Sequence, residues 1–401
     1  MISRNYLKCT TCKTKIITRT AIGHSDYQEF AFPCPKCGIE IRFGMDLDQK
    51  KVTFKYSKII NATWIPPEDN ISNVEVFDAE NLNPVQKNKH FSPFMATALL
   101  PKNLKLYGNH RTIREMAIKS IWPQIEQLFI HIQRRQWHLF DKVFKELGYE
   151  RPLNNEDRLK GFFNALENYS KFFRYIDEAP CQRIKQRIAL AESSCPSEVN
   201  KLIDYFKQKA KDEEINTQLY TLRKQWTEIY PILAPVYLCF YWDDSKNKLT
   251  YYTLAQKRFD DLKNFYVDCF ETFCRISVLA AGIETIIFLN QAAVMKSKGV
   301  LTIEEFDSMN NGSKPDILKN LVVSDLFTPY MNHKLRNAIG HNSAKYDVTQ
   351  DIIQYFAEKS VRRKVALPYI LFCEEIIKLY GQLELISLYS NWLSLACIDI
   401  R

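Results

Sequence analysis

The chain has 401 residues, of which 46% are hydrophobic and 13% aromatic, so it is long enough to bury the cores of two or three domains. Only 11 residues are glycine, and long stretches are rich in Leu, Lys, Glu, Gln and Ile. This composition favours helices over β-hairpins. The formal net charge of +9 is compatible with a polyanionic partner.

No stretch of the chain predicts insertion into a membrane. Residues 1–20 are basic and polar and lack the apolar core of a signal peptide. The two longest apolar stretches, Ile276 to Met295 and Ala366 to Ile398, contain charges such as Glu284 and Glu384 that lipid hardly accepts. We therefore expect a cytoplasmic protein whose 11 cysteines are thiols or metal ligands rather than disulfides.

Residues 1–60 contain two C-x-x-C pairs with 21 residues between them, Cys9 with Cys12 and Cys34 with Cys37. Four thiolates match the tetrahedral preference of Zn²⁺, and a module with so little apolar material would hardly fold without metal. Short β-like runs around the pairs predict a structural zinc ribbon extended by one or two strands, and a redox dithiol pair is the less favoured interpretation. The 11 Lys and Arg against 5 Asp and Glu in this segment leave contact with nucleic acid open, alongside contact with protein.

Two segments follow this module. Residues 61–110 contain proline-rich breaks and are interpreted as a linker, and residues 111–252 predict a helical middle domain from the spacing of their apolar residues. Val236 to Tyr252 is typical of a β-hairpin, or of a helix end followed by a loop, around a turn that contains Asp243 and Asp244. Two basic clusters lie in the middle domain, Arg134 with Arg135, and Arg183 with Lys185 and Arg187. We interpret both clusters as solvated helix faces rather than phosphate sites.

Residues 253–401 predict a C-terminal helical domain. Gly282 suggests a close helix crossing, and Glu284 is interpreted as the wet edge of its helix rather than as a buried partner of a cation. The long apolar C-terminal helix invites burial against a second copy, for which a two-fold dimer is the commonest solution. Besides the motif helix described next, the predicted helices are Gln256–Phe273, Ile276–Ala293, Asp316–Leu326, Val348–Lys359 and Ala366–Ile398.

The stretch from Phe327 to Tyr346 concentrates the residues of chemical interest. If Pro329 opens a helix, His333, Asn337 and His341 fall at i, i+4 and i+8 and share one stripe, which Arg336 joins only by wrapping its long side chain back. Arginine offers a planar fork of donors to a phosphate, histidine exchanges protons near neutral pH, and asparagine orients either group. A surface helix that happens to carry these residue types is the plain alternative.

The run Leu335 to His341, L-R-N-A-I-G-H, resembles the motif of the HEPN superfamily, in which an arginine and a polar residue precede a histidine. The resemblance covers a helical C-terminal region of about 140 residues and implies a HEPN-like helical bundle there. With the small N-terminal β zinc ribbon and the helical middle array predicted above, the expected fold is mainly α. Many members of that family are metal-independent endoribonucleases of toxin–antitoxin and antiviral abortive-infection systems, and they act as dimers whose motifs meet in one cleft. By this resemblance the expected catalytic residues are Arg336, Asn337 and His341.

The resemblance also implies an RNA substrate, a homodimer through the C-terminal domain, no catalytic metal, and a protein trigger or inhibitor that restrains the enzyme. Two other classes of function stay open. One is a non-catalytic nucleic-acid-binding regulator that uses the zinc ribbon and a dimerising helical domain. The other is a sensor or structural subunit whose middle array binds a protein.

Overall fold

The computed structural model describes most of the chain, and the described residues divide into two compact units. Unit 1 is built from Met1–Gly108, Glu228–Asn264 and Ala338–Ile377, and unit 2 from Asn109–Thr227, Phe265–Asn337 and Lys378–Arg401. Each unit therefore combines segments from distant parts of the chain, unlike the consecutive domains predicted from the sequence. The described residues are 2–23, 25–48, 50–51, 53–85, 104–173, 178–241, 249–319, 321, 324–326, 331–358 and 361–397.

Unit 1 is rich in β structure. One four-stranded sheet has the order β6-β1-β2-β7, with β7 parallel to β2 and the other neighbours antiparallel, and two three-stranded sheets are β3-β4-β5 and β12-β13-β14. The two short strands β8 and β9 pair with each other. The strands are β1 Ile2–Cys9, β2 Lys15–Ala21, β3 Tyr27–Pro33, β4 Glu40–Asp48, β5 Thr53–Ile60, β6 Ala62–Trp64, β7 Val74–Asp78, β8 Asn83–Pro84, β9 Tyr252–Thr253, β12 Lys345–Asp347, β13 Ile352–Glu358 and β14 Val361–Pro368.

The core of unit 1 contains aromatic residues from β3, β4 and β7. Phe30 stacks on Phe43 with ring centroids 5.0 Å apart, and Phe30 and Phe32 both pack against Phe77. The backbone N–H of Ala31 donates to the carbonyl of Ala255, 2.9 Å away, and thereby joins residues that are more than 200 positions apart in the sequence. Along β4 the buried apolar side chains of Ile41, Phe43 and Met45 recur with the period of two that is typical of a strand.

Unit 2 contains most of the helices, and five of the described helices have residues in both units: Leu104–Met116, Lys211–Leu233, Phe259–Leu289, His333–Gly340 and Tyr369–Ala396. A π-helical turn, Ala117–Ile121, joins the first two helices. The short strands β10 Ala293–Met295 and β11 Val300–Thr302 pair with each other. The helices are α1 Leu104–Met116, α2 Trp122–Gln133, α3 Trp137–Glu146, α4 Asn155–Ser170, α5 Glu178–Ser194, α6 Pro196–Gln208, α7 Lys211–Leu233, α8 Phe259–Leu289, α9 Ile303–Ser308, α10 Lys314–Leu318, α11 His333–Gly340 and α12 Tyr369–Ala396.

Local sequence explains where several helices begin. Asn154 caps α4 by accepting from the backbone N–H of Asp157 at 2.8 Å. Thr302 and Glu305 form a reciprocal capping box at the start of α9. Pro196 occupies the first position of α6, where a missing N–H costs nothing.

The core of unit 2 holds a buried ion pair among aromatic rings. Arg223 donates from Nε and Nη2 to the carboxylate of Glu384 at 3.0 and 2.9 Å, and both side chains are almost fully buried. Ser170 donates to the same carboxylate at 2.6 Å, and the ring of Trp226 stacks on Tyr380 with centroids 4.0 Å apart. Burial raises the pKa of Glu384, but the charge and hydrogen bonds of Arg223 outweigh it, so the pKa is lowered overall.

The interpretation of Glu284 as a wet edge is wrong. Its side chain is 0% exposed and accepts two hydrogen bonds from Arg187, at 2.7 and 2.5 Å. A carboxylate at this depth needs a paired cation, and no local pattern indicates that a residue 97 positions earlier supplies it. The close approach at Gly282 is confirmed, because a Cβ there would lie 2.9 Å from Cδ1 of Leu202.

Several predicted elements differ from the structure. The segment interpreted as a linker contributes β6, β7 and β8, and its residues 86–103 lie outside the described part. The segment predicted as the helix Val348–Lys359 contains instead the strand β13, Ile352–Glu358, in which the buried residues Ile353 and Tyr355 recur with a period of two. The two helices predicted before and after Cys274 are one helix, α8, since neither proline nor glycine interrupts them there.

Within the described residues, α8 is the helix whose length and apolar composition would suffice to cross a membrane. Of its most apolar 18-residue window, 78% is buried inside the protein, as is typical of a core helix. The turn with Asp243 and Asp244, and Pro329, lie outside the described residues.

Candidate functional site

Unit 1 brings the four predicted cysteine ligands together. Cys9 ends β1 and Cys12 lies in the next turn, while Cys34 directly follows β3 and Cys37 lies in the turn before β4. The Sγ atoms of Cys9 and Cys37 are 3.8 Å apart, those of Cys12 and Cys34 are 3.5 Å apart, and all four lie within 4.8 Å of one another. The four cysteines can therefore hold one metal ion.

The two cysteine turns have the same backbone hydrogen bonds. In the first, the N–H of Cys9 donates to Thr14 and the carbonyl of Cys9 accepts from Lys13 at 3.1 Å. In the second, the N–H of Cys34 donates to Ile39 and the carbonyl of Cys34 accepts from Gly38 at 2.9 Å. This repetition presents both sulfur pairs in the same way.

Each turn closes through a left-handed residue in the position after its second cysteine. The φ angles are 62° at Lys13 and 74° at Gly38. Glycine suits the second turn for another reason too, because a Cβ at Gly38 would lie 3.1 Å from Oγ1 of Thr349.

The protein environment changes the pKa values of two of these thiols in opposite directions. Hydrogen bonding with Thr14 lowers the pKa of Cys12 to about 6, whereas burial raises the pKa of Cys34 to about 12. A bound cation favours the thiolate at every position, since metal ligands must be deprotonated.

The motif helix α11 is shorter than predicted. It begins at His333, and the side chain of Asn332 accepts from the backbone N–H of Leu335 at 3.1 Å, as an N-cap residue does. Leu335, Ala338 and Ile339 are buried and hold the helix in place. Asn332 therefore caps the first turn of α11.

Arg336 and Asn337 lie together at the start of the predicted catalytic set. Nη1 of Arg336 donates to Oδ1 of Asn337 at 3.0 Å, and Nε donates to Oε1 of Glu271 at 2.5 Å. Glu271 also pairs with Nη2 of Arg336 and accepts a hydrogen bond from Asn311. Arg336 thus has a fixed orientation on α11.

His341 does not continue the helical stripe. The helix ends at Gly340, where the N–H groups of Asn342 and Ser343 donate back to Ile339 and Ala338 at 2.9 and 2.8 Å. His341 is exposed in this turn, and its side chain has no hydrogen bond with the residues that the structure describes. The boundary between the units falls between Asn337 and Ala338, so the convergence of His341 with Arg336 stays a prediction.

Arg336 lines a cavity of about 670 Å³ in unit 2. Three of its cations are already paired, Lys211 with Asp307, Arg275 with Glu214, and Arg336 with Glu271. The cations that line the cavity are Lys209, Lys211, Arg275, Lys314 and Arg336. The carboxylates that line it are Glu214, Glu304 and Asp307.

Sequence reasoning missed Glu271, Asn311, Lys314 and the cavity that Lys314 lines. These residues lie 22 to 65 positions before Arg336, in segments with no recognisable motif. The acidic residue Glu271 in a mostly apolar helix was the one feature of the sequence that indicated a buried contact. It does not indicate that the contact is with Arg336.

Each cation of the second basic cluster, Arg183, Lys185 and Arg187, forms an ion pair with a carboxylate of unit 2. Arg183 donates to Asp325 at 2.5 Å, and Lys185 donates to Glu167 at 2.8 Å. Arg187 is partly exposed and pairs with the buried Glu284. These cations are therefore poor candidates for phosphate contact.

No protein-family profile, curated protein or solved structure matches this chain.

Proposed function

We propose that this chain is a metal-independent endoribonuclease of the HEPN type, which acts in the cytoplasm as a homodimer in antiviral or toxin-like defence. The observation that carries the proposal is the hydrogen-bonded pair of Arg336 and Asn337, of which Arg336 lines a cavity with five cations and three carboxylates in its wall. The resemblance of the motif supplies the reaction and the assembly.

Arg336 retains hydrogen-bonding capacity for a phosphate. A guanidinium has five N–H donors. Glu271 occupies the donor on Nε and one donor on Nη2, and Asn337 occupies one donor on Nη1. One N–H group on each of Nη1 and Nη2 therefore remains for phosphate oxygens. Because Oδ1 of Asn337 accepts from Arg336, the Nδ2 group of Asn337 can donate to the same phosphate.

Glu271 acts as a positioning residue in this proposal. Its carboxylate holds the guanidinium through Nε and is itself held by Asn311. A fixed donor adds more to transition-state stabilisation than a mobile one, because it need not reorganise as charge develops.

The reaction is a transesterification followed by product release. His341 takes the proton from a ribose 2′-OH, the 2′ oxygen forms a bond to the adjacent phosphorus, and the bond from phosphorus to the 5′ oxygen breaks. A proton from the imidazole of a motif, or from water, goes to the 5′ oxygen, and the products are a 2′,3′-cyclic phosphate and a 5′-hydroxyl. Arg336 and Asn337 stabilise the charge that develops on the phosphoryl oxygens.

We assign Zn²⁺ to the four cysteines as a structural ion. Zn–S bonds of about 2.3 Å in a tetrahedron place the sulfur atoms about 3.8 Å apart. The sulfur separations of 3.5 and 3.8 Å are close to this value, and four thiolates leave no open position for a substrate. The ion would stabilise the turns between β1 and β2 and between β3 and β4.

The experiment that tests the proposal is cleavage of labelled RNA by purified protein in the presence of a chelator that does not strip the structural zinc. We expect His341→Ala and Arg336→Ala each to lower the cleavage rate by about 100-fold or more, because each removes acid–base help or charge stabilisation. His138→Ala is the matched control, since His138 is an exposed histidine of α3 outside the motif. Cleavage that persists at the wild-type rate in His341→Ala would sink the assignment.

Expression in cells tests the defence role. We expect the wild-type chain to arrest growth and Arg336→Ala to relieve the arrest at equal protein level. Arrest by both chains would favour a binding or sensor function without catalysis.

A further inference from the structure

Lys314 is a buried cation on the wall of the cavity that Arg336 lines. The residue is 1% exposed, and its Nζ donates to the backbone carbonyl of Asp307 at 3.1 Å. An ammonium has three donors, and among the described residues no carboxylate lies within ion-pair distance of Nζ. The ring of Phe306, 5.7 Å away, is its other neighbour of note.

A buried ammonium without a carboxylate partner is costly. Burial lowers the pKa of Lys314, because the charged form is costly away from water, and the carboxylates of Asp307 and Glu271 at longer range offset only part of this effect. An anion in the cavity would remove that cost and use the remaining donors. The burial of Lys314 on the cavity wall is therefore better explained by a bound anion than by packing.

Lys209 adds a second cation without a carboxylate partner among the described residues. It is exposed, and its Nζ lies 4.6 Å from the ring centroid of Tyr205. The paired cations of the cavity are already neutralised by Asp307, Glu214 and Glu271. Lys209 and Lys314 thus supply two further positive charges against the one remaining carboxylate of the lining, Glu304, so that a net charge of +1 is left for a ligand.

We propose that this cavity binds the phosphate of a nucleotide, with Lys314 as the cation that fixes the phosphate and Lys209 at the edge. A cavity of about 670 Å³ has room for a sugar and a base beside the phosphate, within the roughly 300–1,000 Å³ of ligand sites. The assignment to a nucleotide rests on the proposed RNA-cleaving function, whereas the assignment to an anion rests on the charges of the cavity.

The test is calorimetric titration of the full-length protein with 5′-AMP, with adenosine as the probe that lacks phosphate. We expect 5′-AMP to bind and adenosine to bind at least tenfold more weakly, because hydrogen bonds to charged groups are the strong ones. Lys314→Gln should weaken 5′-AMP binding about tenfold or more, and Lys209→Gln about threefold. Lys319→Gln is the matched control, because Lys319 directly follows α10 but is exposed and paired with Asp316.

Lys314→Gln could lower binding merely by unfolding the protein, so its far-ultraviolet circular dichroism and thermal midpoint are measured first. If it is unfolded, Lys209→Gln decides, since Lys209 is exposed and its loss should leave the fold intact. Equal affinity for 5′-AMP and adenosine, or equal losses in the Lys319→Gln control, would overturn the inference.

A non-cleavable 2′-O-methyl oligoribonucleotide distinguishes the source of the phosphate. If the oligoribonucleotide displaces 5′-AMP, the phosphate belongs to an RNA strand. If it does not displace 5′-AMP, the ligand is a free nucleotide. The result is separable from the RNase proposal. If 5′-AMP binding depends on Lys314 but the protein does not cleave RNA, the phosphate site holds and the RNase proposal fails. If RNA cleavage depends on His341 but Lys314→Gln binds 5′-AMP with unchanged affinity, the RNase proposal holds and the phosphate site fails.

Discussion

The cysteine cluster and the cation-lined cavity are assembled in different ways. The cluster comes from two turns that each close on themselves, so its four ligands are separated by fewer than 30 residues. The cavity comes from α6, α7, α8, α9, α10 and α11, whose lining residues extend from Tyr205 to Arg336. A site made of local turns can be recognised by its spacing, whereas a site made by packing cannot.

The two regions also differ in how they are stabilised. The cysteine cluster joins short β segments with a modest apolar core. Unit 2 relies on long helices, stacked aromatic rings and buried ion pairs such as Arg223 with Glu384. Loss of metal should therefore act on the first region, and loss of a buried charge on the second.

Cys34→Ser is the change with the largest expected effect, and it tests the dependence of unit 1 on metal. Structural zinc sites contribute roughly 10 kcal/mol or more of apparent binding free energy, which is comparable to the stability of a whole domain. We expect loss of bound zinc and rapid proteolysis within residues 2–85. Zinc content by atomic absorption, together with limited proteolysis, measures both outcomes.

Cys195→Ser is the matched control, because Cys195 lies between α5 and α6 and belongs to unit 2. It should leave zinc content unchanged. Full zinc content in Cys34→Ser would contradict the four-cysteine site.

Arg223→Met should have the next largest effect and should act on unit 2. Removing one partner of a buried pair leaves the other charge uncompensated, at a cost of about 3–5 kcal/mol. We expect the free energy of unfolding, measured by urea denaturation at pH 7, to fall by that amount while zinc content stays at the wild-type value.

The double variant Arg223→Met with Glu384→Leu is the control, since it leaves no unpaired charge and should recover most of the loss. Acid gives a second check. The pKa of Glu384 is lowered in the folded protein, so its contribution is present above its unfolded pKa of about 4.3 and is lost as the pH falls through the folded pKa. A wild-type stability that does not fall below that pH would argue against the pair.

Gly282→Ala should have the smallest effect of the three. Overpacking against Leu202 and Ile303 costs about 1–3 kcal/mol, and replacing a helical glycine by alanine returns about 1 kcal/mol. We therefore expect a net loss of about 1 kcal/mol in urea denaturation. Gly340→Ala is the control, because no atom lies within 4 Å of the Cβ added there. Equal stability in both variants would mean that Leu202 moves aside without cost.

Much of the helical content was predictable from the sequence. The spacing of the apolar residues predicted a helical middle domain over residues 111–252, and helices α2 to α7 lie in that segment. The strand at Ile352–Glu358 was mistaken for a helix, because short apolar runs fit either period. Its identity depends on pairing with the strands on either side, which no local pattern shows.

The sequence by itself determined the four clustered cysteines and the mainly α character, because short-range spacing dictates turns and helix faces. It also placed Arg336 and Asn337 side by side on one helix. Only the tertiary structure decided that Glu271 fixes Arg336, that Arg187 neutralises Glu284, and that Lys314 is buried beside a cavity. The physical reason is that charge compensation and burial depend on which distant segments pack together, and a residue's own neighbours in the chain do not specify that.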